Sequence, residues 1–283
     1  MAAVAEIRPS PIAGIWYSTD EKALAAQIDA YLADAAVDDL EGEVVAVIAP
    51  HAGYVYSGRT AGHAFRTVLG RSVDLVAVVS PFHGYHPADV LTTRHRAYGT
   101  PLGAIPVDRQ ALQQLEAVLQ QQAGELQLAS LANDSEHSLE IELPFLQRAL
   151  TGGFKLLPVM VRSLSPDVLL TLGHALAEVA KTRKTLLVAS TDLSHFYPEN
   201  IANVLDREML NRMEAFSPEG VLDAEQRGQG FACGAGAVAA VLWAARFLGA
   251  SQVKVLHHST SGDETGDRRS VVGYGAAVVI KHK

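Results

Sequence analysis

Six short runs of Val, Ile, Leu and Ala recur along the chain: VVAVIA (44–49), DLVAVVS (74–80), FKLLPVMV (154–161), TLLVAST (185–191), VKVLHH (253–258) and VVGYGAAVVI (271–280). Their apolar character is continuous and not alternating, which a strand shows when both of its faces are buried. Between and around them lie longer amphipathic segments at 20–35, 58–69, 108–122, 138–150, 166–180, 198–214, 218–227 and 234–248, suited to helices that cover a sheet. This pattern predicts an α/β fold with a mainly parallel or mixed central sheet flanked by helices. Asp20, and Ser165 followed by Pro166, fit helix starts. Pro144 inside EIELPFLQRAL predicts that its helix kinks or begins late. No internal repeat and no Pro/Gly/Ser linker divides the chain, so residues 1–283 are expected to form one domain.

Composition narrows the function classes. With 48% apolar residues in 283, the chain can bury a large core, and disorder is excluded. Net charge is −8, and no dense Lys/Arg cluster with interleaved aromatics occurs, so nucleic acid is not an expected partner. The start, MAAVAEIRPSPIAGIWY, lacks a basic region followed by an apolar stretch. The longest apolar run, GAGAVAAVLWAA at 234–245, is too short to cross a bilayer. A soluble, cytoplasmic protein without a membrane partner is expected. The single cysteine, Cys233, cannot form an intramolecular disulfide, and eleven histidines are many for this length.

Three of the apolar runs pass directly into a short loop that carries a histidine. VVAVIAPHAGYVYSG gives His51, DLVAVVSPFHGYHP gives His83 with His86 beyond it, and TLLVASTDLSHF gives Asp192 and His195. In an open α/β sheet, ligands bind beyond the carboxyl ends of the strands, so these residues can converge despite their separation in sequence. Pro50 and Pro81 would rigidify two of the exits. Cys233 lies just before an Ala-rich helix, where the positive end of the dipole would lower its pKa and favour the thiolate. Two histidines and one anionic ligand would leave open positions on a metal, as in catalytic zinc sites or non-haem iron oxygenases.

Other arrangements remain open at this point. Each histidine taken alone is more readily explained as a loop hydrogen-bonding residue, and Cys233 as a small buried apolar one; it is the three coincident placements that point to a site. A Ser/His/Asp hydrolase could use His195, Asp192 and a strand-end serine, Ser80 or Ser190. GAGAVA lacks the preceding strand of a dinucleotide fingerprint. Glu136 and His137 precede a helix, either as first-turn groups or with His137 in the pocket. His257 and His258 end another strand, and one of them could reach the same crevice.

Taken together, RPSPIAGIWY, APHAGYVYSG, SPFH, YGTPLGAIPVD, EHSLEIELPFLQ, STDLSHF, ACGAGAVAA and SGDETGDRRSVVGY resemble, in order and over nearly the whole chain, the Memo family. That family is also called the AmmeMemoRadiSam system protein B group and is similar in fold to class III extradiol dioxygenases. The resemblance implies a metal pocket formed by His51, His83 and Cys233. It places His195 at the acid/base position of the dioxygenase relatives, with Asp192 beside it. Apart from the resemblance, Trp16, Tyr54 and His137 are candidates for binding the ligand in the same pocket. It also implies a functional link to a radical SAM protein. In the dioxygenase relatives the third metal ligand is a carboxylate. A thiolate is softer, which adds copper or zinc as alternatives to Fe(II).

The expected function is therefore a non-haem iron, dioxygenase-like oxidoreductase acting on a small substrate. Its alternatives are a non-catalytic module that binds a peptide or protein through Trp16, Tyr54 and His137, and a zinc-dependent hydrolase.

Overall fold

The structure, a computed structural model, describes residues 5–122 and 126–282; the ends of the expected 1–283 span, Met1 to Val4 and Lys283, lie outside the described residues. In chain order the elements are β1 (Ile7–Arg8), α1 (Glu21–Asp34), β2 (Glu43–Ala49), α2 (Tyr54–Arg66), β3 (Leu75–Pro81), β4 (Val90–Thr93), β5 (Ala97–Thr100), β6 (Gly103–Pro106) and α3 (Arg109–Gln122). There follow β7 (Leu128–Leu131), α4 (Glu142–Ala149), β8 (Lys155–Val161), α5 (Pro166–Ala180), β9 (Thr185–Ser190), β10 (His195–Tyr197) and α6 (Glu199–Glu214). The chain continues through α7 (Pro218–Gln226), α8 (Ala235–Phe247), β11 (Gln252–Thr260), α9 (Ser261–Thr265) and β12 (Val271–Lys281).

The expected α/β architecture is present, with a mixed central sheet. Its strands run in the order β10-β12-β2-β9-β3-β8-β4-β7, with β11 also paired to β12. The middle of the sheet is parallel: β2 pairs with β9, β9 with β3, and β3 with β8. Antiparallel pairs close it on both sides, β12 with β2 and β4 with β8. Successive residues of a strand point to opposite faces, and in β2, β3, β8 and β9 nearly every residue in succession is buried, so helices cover both faces. Helix α8 packs on β3, β9 and β2 with α5 against it, and α2 packs on β2 and β12 with α1 against it.

Local chemistry accounts for the helix boundaries. The Asp20 side chain caps α1 by accepting from the Ala23 amide, and Pro166 begins α5. The helix over EIELPFLQRAL begins late, at Glu142, which leaves Pro144 in the first turn, where its missing N–H has no intrahelical acceptor to satisfy. The short strands β4 to β7 and β10 lack long apolar runs and are set by their neighbours; β1, β5 and β6 form a separate three-stranded sheet.

The N-terminal segment is tied to the body by buried charge. Arg8, 1% exposed, donates to the carboxylates of Asp134 and Glu140 and to the Glu136 carbonyl. Ser10 and the Tyr17 hydroxyl also donate to Glu140. This network fixes residues 8–17 against residues 134–140, the stretch that carries Glu136 and His137. Removing one partner of such a cluster strands the others in the interior, so Arg8→Ala should destabilise the protein by about 3 kcal/mol. Urea unfolding is the measurement; a loss below about 1 kcal/mol, the value of an exposed pair, would contradict the role given to Arg8.

Candidate metal centre

Strands β2, β9 and β3 are neighbours and run in the same direction, so the loops after them leave one edge of the sheet together. His51 follows β2, Asp192 follows β9 and His83 follows β3. The Asp192 carboxylate accepts from the His51 amide at 2.7 Å, which ties the first two loops to each other. Helix α8 delivers Cys233 from the side. Its start lies against the end of β9, where a Cβ on Gly234 would overlap the Ser190 carbonyl, so only glycine permits this approach. The Gly234 amide donates to the Thr191 hydroxyl, and the Cys233 sulfur accepts from the Asp192 amide at 3.3 Å.

Cys233 Sγ thereby lies 3.1 Å from His51 Nε2. His51, His83 and His137 each offer a donor atom, and these atoms lie within 4.8 Å of one another, so the three histidines form a group that could hold a metal ion. The His83 and His137 rings are stacked with centroids 4.7 Å apart, and Trp16 lies 4.2 Å from the His137 ring. Sequence reasoning assigned His137 to ligand binding; the fold brings it among the metal-binding candidates.

Hydrogen bonds select which nitrogen is free. His83 Nδ1 is 2.9 Å from Glu136 Oε1, and a carboxylate only accepts, so Nδ1 carries the hydrogen and Nε2 keeps its lone pair. Glu136 also accepts from the His83, His137 and Ser138 amides. His51 Nδ1 contacts the Ser190 hydroxyl at 2.9 Å, which leaves Nε2 on the side of Cys233. His195 Nδ1 donates to the Leu193 carbonyl at 2.8 Å and keeps its Nε2 lone pair. Outer partners of this kind are what fix metal-binding imidazoles in structures.

The electrostatics favour the neutral form in two of the three clustered histidines, His51 and His137. Burial, followed by the neighbouring His137 and His83, drives His51 well below its ordinary range, so it is neutral and can ligate. Burial takes His137 down to about 4 and lowers His195 as well. His83 is raised by its hydrogen bond to Glu136, and it is the most exposed of the three clustered histidines. Although burial opposes ionisation of Glu136, its hydrogen bonds and charge interaction with His83 hold its carboxyl below the usual range.

Cys233 departs from the sequence expectation. Its thiol is pushed well above the ordinary range, by burial first and then by the Asp192 carboxyl. A helix N-terminus contributes only about 0.3–1 kcal/mol, less than the desolvation of a thiolate in such a setting. A bound cation would reverse this balance, because a coordinating thiol is deprotonated outright.

Beside the cluster is a cavity of about 880 Å³. His51, His83, His137, Asp192 and His195 line it together with Ile15, Trp16, Tyr56, Phe196 and Tyr274. Tyr54 is not among its lining residues. It is buried at the start of α2 and its hydroxyl donates to the Ile141 carbonyl, while Tyr56, two residues on and therefore on another side of the helix, lines the cavity. Phe196 holds a left-handed backbone, φ 65°, with its side chain largely exposed at the cavity.

The remaining candidates fall elsewhere. Ser80 and Ser190 are fully buried, and Ser190 lies behind His51, so neither stands as a nucleophile beside His195. His257 contacts Thr60 and stacks on His63, and His258 pairs with Asp206; they belong to a different cavity. Glu136 and Ser190 act here by orienting imidazoles, a role that sequence position alone did not reveal.

Burial raises the Asp192 carboxyl to about 7, against the hydrogen bonds from the His51 and Ala52 amides. A raised carboxyl binds more protons in the folded state than in the unfolded one. Its stabilising contribution is complete below its ordinary value of 3.8 and is lost as pH rises to about 7. In chelator-treated protein, Asp192→Asn should remove this component. The difference in urea-unfolding stability between variant and wild type should change between pH 4 and pH 7 and level off above; a constant difference across that window would refute it.

The family profile described as Memo-like protein matches residues 8–278. A MEMO1 family protein of Nitrosopumilus maritimus is 34% identical over 237 residues, 84% of this chain and 85% of that one. One from Methanothermobacter thermautotrophicus is 33% identical over 278 residues, 95% of this chain and 98% of that one, and one from Methanococcus vannielii is 31% identical over 286 residues, 96% and 99%. With a match that runs from the strand carrying Arg8 to the last strand of the sheet, the chain belongs to the Memo family.

Proposed function

We propose that this protein is a metal-dependent oxidoreductase, similar to the extradiol dioxygenases, that binds one redox-active ion through His51, His83 and Cys233 and acts on a small substrate in the adjoining cavity. The observation that carries this reading is the pair of imidazoles whose Nδ1 atoms face Ser190 and Glu136, which turns both Nε2 atoms away from those partners, with that of His51 3.1 Å from the Cys233 sulfur and His83 and His137 close by. Imidazole nitrogen and thiolate sulfur suit Fe(II), with copper or zinc as alternatives. Fe(II) held there would supply one-electron chemistry with dioxygen.

The chain's own residues supply the remaining functions. His137 and Trp16 form one wall and hold a substrate against the donor cluster. His195, neutral and with a free Nε2 at the cavity, accepts or returns a proton at the substrate. Asp192, with a carboxyl raised to about 7, can hold a proton close to His51 Nε2, 4.0 Å away. The apolar lining from Ile15, Tyr56 and Phe196 favours a substrate with an apolar face and excludes water around it. The functional link to a radical SAM protein, suggested by the family resemblance, and a cytoplasmic location belong to the same proposal. Among the described residues no helix is long and apolar enough to cross a membrane.

Metal analysis after anaerobic purification without chelators provides the test. Wild-type protein should carry a stoichiometric redox metal, and His51→Ala and Cys233→Ala should each lose it. Protein with no redox metal, or metal retained in both variants, would overturn the proposal. Stoichiometric zinc with an activity that persists without oxygen would favour hydrolysis instead.

A further inference from the structure

On the Nδ1 side of His51, away from Cys233, a second polar cluster is fully enclosed. The Ser190 hydroxyl has three close neighbours: His51 Nδ1 at 2.9 Å, the Ser138 carbonyl oxygen at 2.7 Å and Glu142 Oε1 at 2.6 Å. A hydroxyl brings one hydrogen and two lone pairs. The Ser138 carbonyl can only accept, so it takes the single Ser190 hydrogen. The two lone pairs then face His51 and Glu142, and each contact is a hydrogen bond only if that partner donates. For His51 this requires the hydrogen on Nδ1. For Glu142 it requires a carboxylic acid, because a carboxylate has nothing to donate.

The other assignment is worse on two counts. Giving the Ser190 hydrogen to an ionised Glu142 would set the Ser138 oxygen against a lone pair at 2.7 Å. It would also bury an unpaired charge: Glu142 is 1% exposed, and among the described residues Ser190 is its one hydrogen-bond partner and no basic side chain pairs with it. We propose that Glu142 is a neutral carboxylic acid at physiological pH and that, by donating to Ser190, it fixes His51 in the tautomer that presents the Nε2 lone pair to the metal centre. Burial, with the nearby Asp192 adding to it, acts in the same direction by raising the Glu142 carboxyl well above the usual range. Glu142 is thus a positioning residue, two hydrogen bonds removed from the donor atom. Its position at the start of α4 follows from the late start of that helix ahead of Pro144.

The protonation and tautomer parts stand independently of any metal; the consequence for binding rests on the reading of His51 as a ligand. Difference infrared spectroscopy at neutral pH should show the carbonyl stretch of a protonated carboxylic acid in the wild type and its loss in Glu142→Gln. Nitrogen-15 NMR of the histidine rings should show His51 with hydrogen on Nδ1 in the wild type and in Glu142→Gln, whose amide still donates to Ser190, and a mixture of tautomers in Glu142→Leu. Cobalt(II), a redox-stable probe read by its visible absorption, should bind Glu142→Gln as it binds the wild type and should bind Glu142→Leu about 10–100-fold more weakly. Absence of the carboxylic acid band, or a Glu142→Gln protein as impaired as Glu142→Leu, would overturn the inference. If Glu142→Leu does not fold, the infrared band and the Glu142→Gln tautomer decide. Wild-type protein that binds no cobalt would defeat the metal reading while leaving the band and the tautomer to judge Glu142.

Discussion

The parallel pairing of β2, β9 and β3 is the constraint on which the rest of the site depends. Parallel strands end on the same edge, and adjacent strands are about 4.8 Å apart, so residues just past their ends are brought close without any special loop. His51, Asp192 and His83 occupy those three positions. The pairing also requires burial on both faces, which is why the strands are continuous apolar runs and why α8 lies close enough to bring Cys233 into the group. Fold and site therefore share one cause: the strand order that buries the core also assembles the donors.

Around this frame, buried polar groups determine orientation. Arg8, Glu140, Asp134 and Tyr17 hold the segment that carries Glu136 and His137, and Glu136 in turn orients His83. Ser190 does the same for His51. Buried ion pairs of this type are poor sources of net stability, since desolvation offsets most of the Coulomb attraction. Their effect here is to fix residues 8–17 and 134–140 in one register, which places Trp16 on His137.

Much of this was legible in the sequence because it rests on local signals. Continuous apolar runs identify β2, β3, β8 and β9, and a histidine or aspartate placed immediately after such a run is positioned by the strand itself. The short strands β4 to β7 were not legible, since each is held by pairing with a neighbour rather than by its own composition. The choice between Tyr54 and Tyr56 was equally obscure. Both belong to one motif, and only the docking of α2 against Ile141 and Phe145 decides that Tyr54 faces the core. Ser190, a candidate nucleophile by position, proves to be enclosed behind His51.

By itself the sequence determined the α/β class, with a mainly parallel or mixed sheet, and the presence of His51, His83, Asp192 and His195 just past apolar strands, because hydrophobic periodicity is a property of the chain alone. Only the tertiary structure decided which groups share a site and in what state. It brought His137 beside His51 and His83 and placed Cys233 against His51 Nε2, and it set the hydrogen-bearing nitrogen of His83 and His195 through Glu136 and Leu193. It also raised the Cys233 and Asp192 groups that a reading of neighbours in sequence would leave low. Desolvation and hydrogen-bond direction depend on what surrounds a group in space, and that is settled only when distant segments pack together.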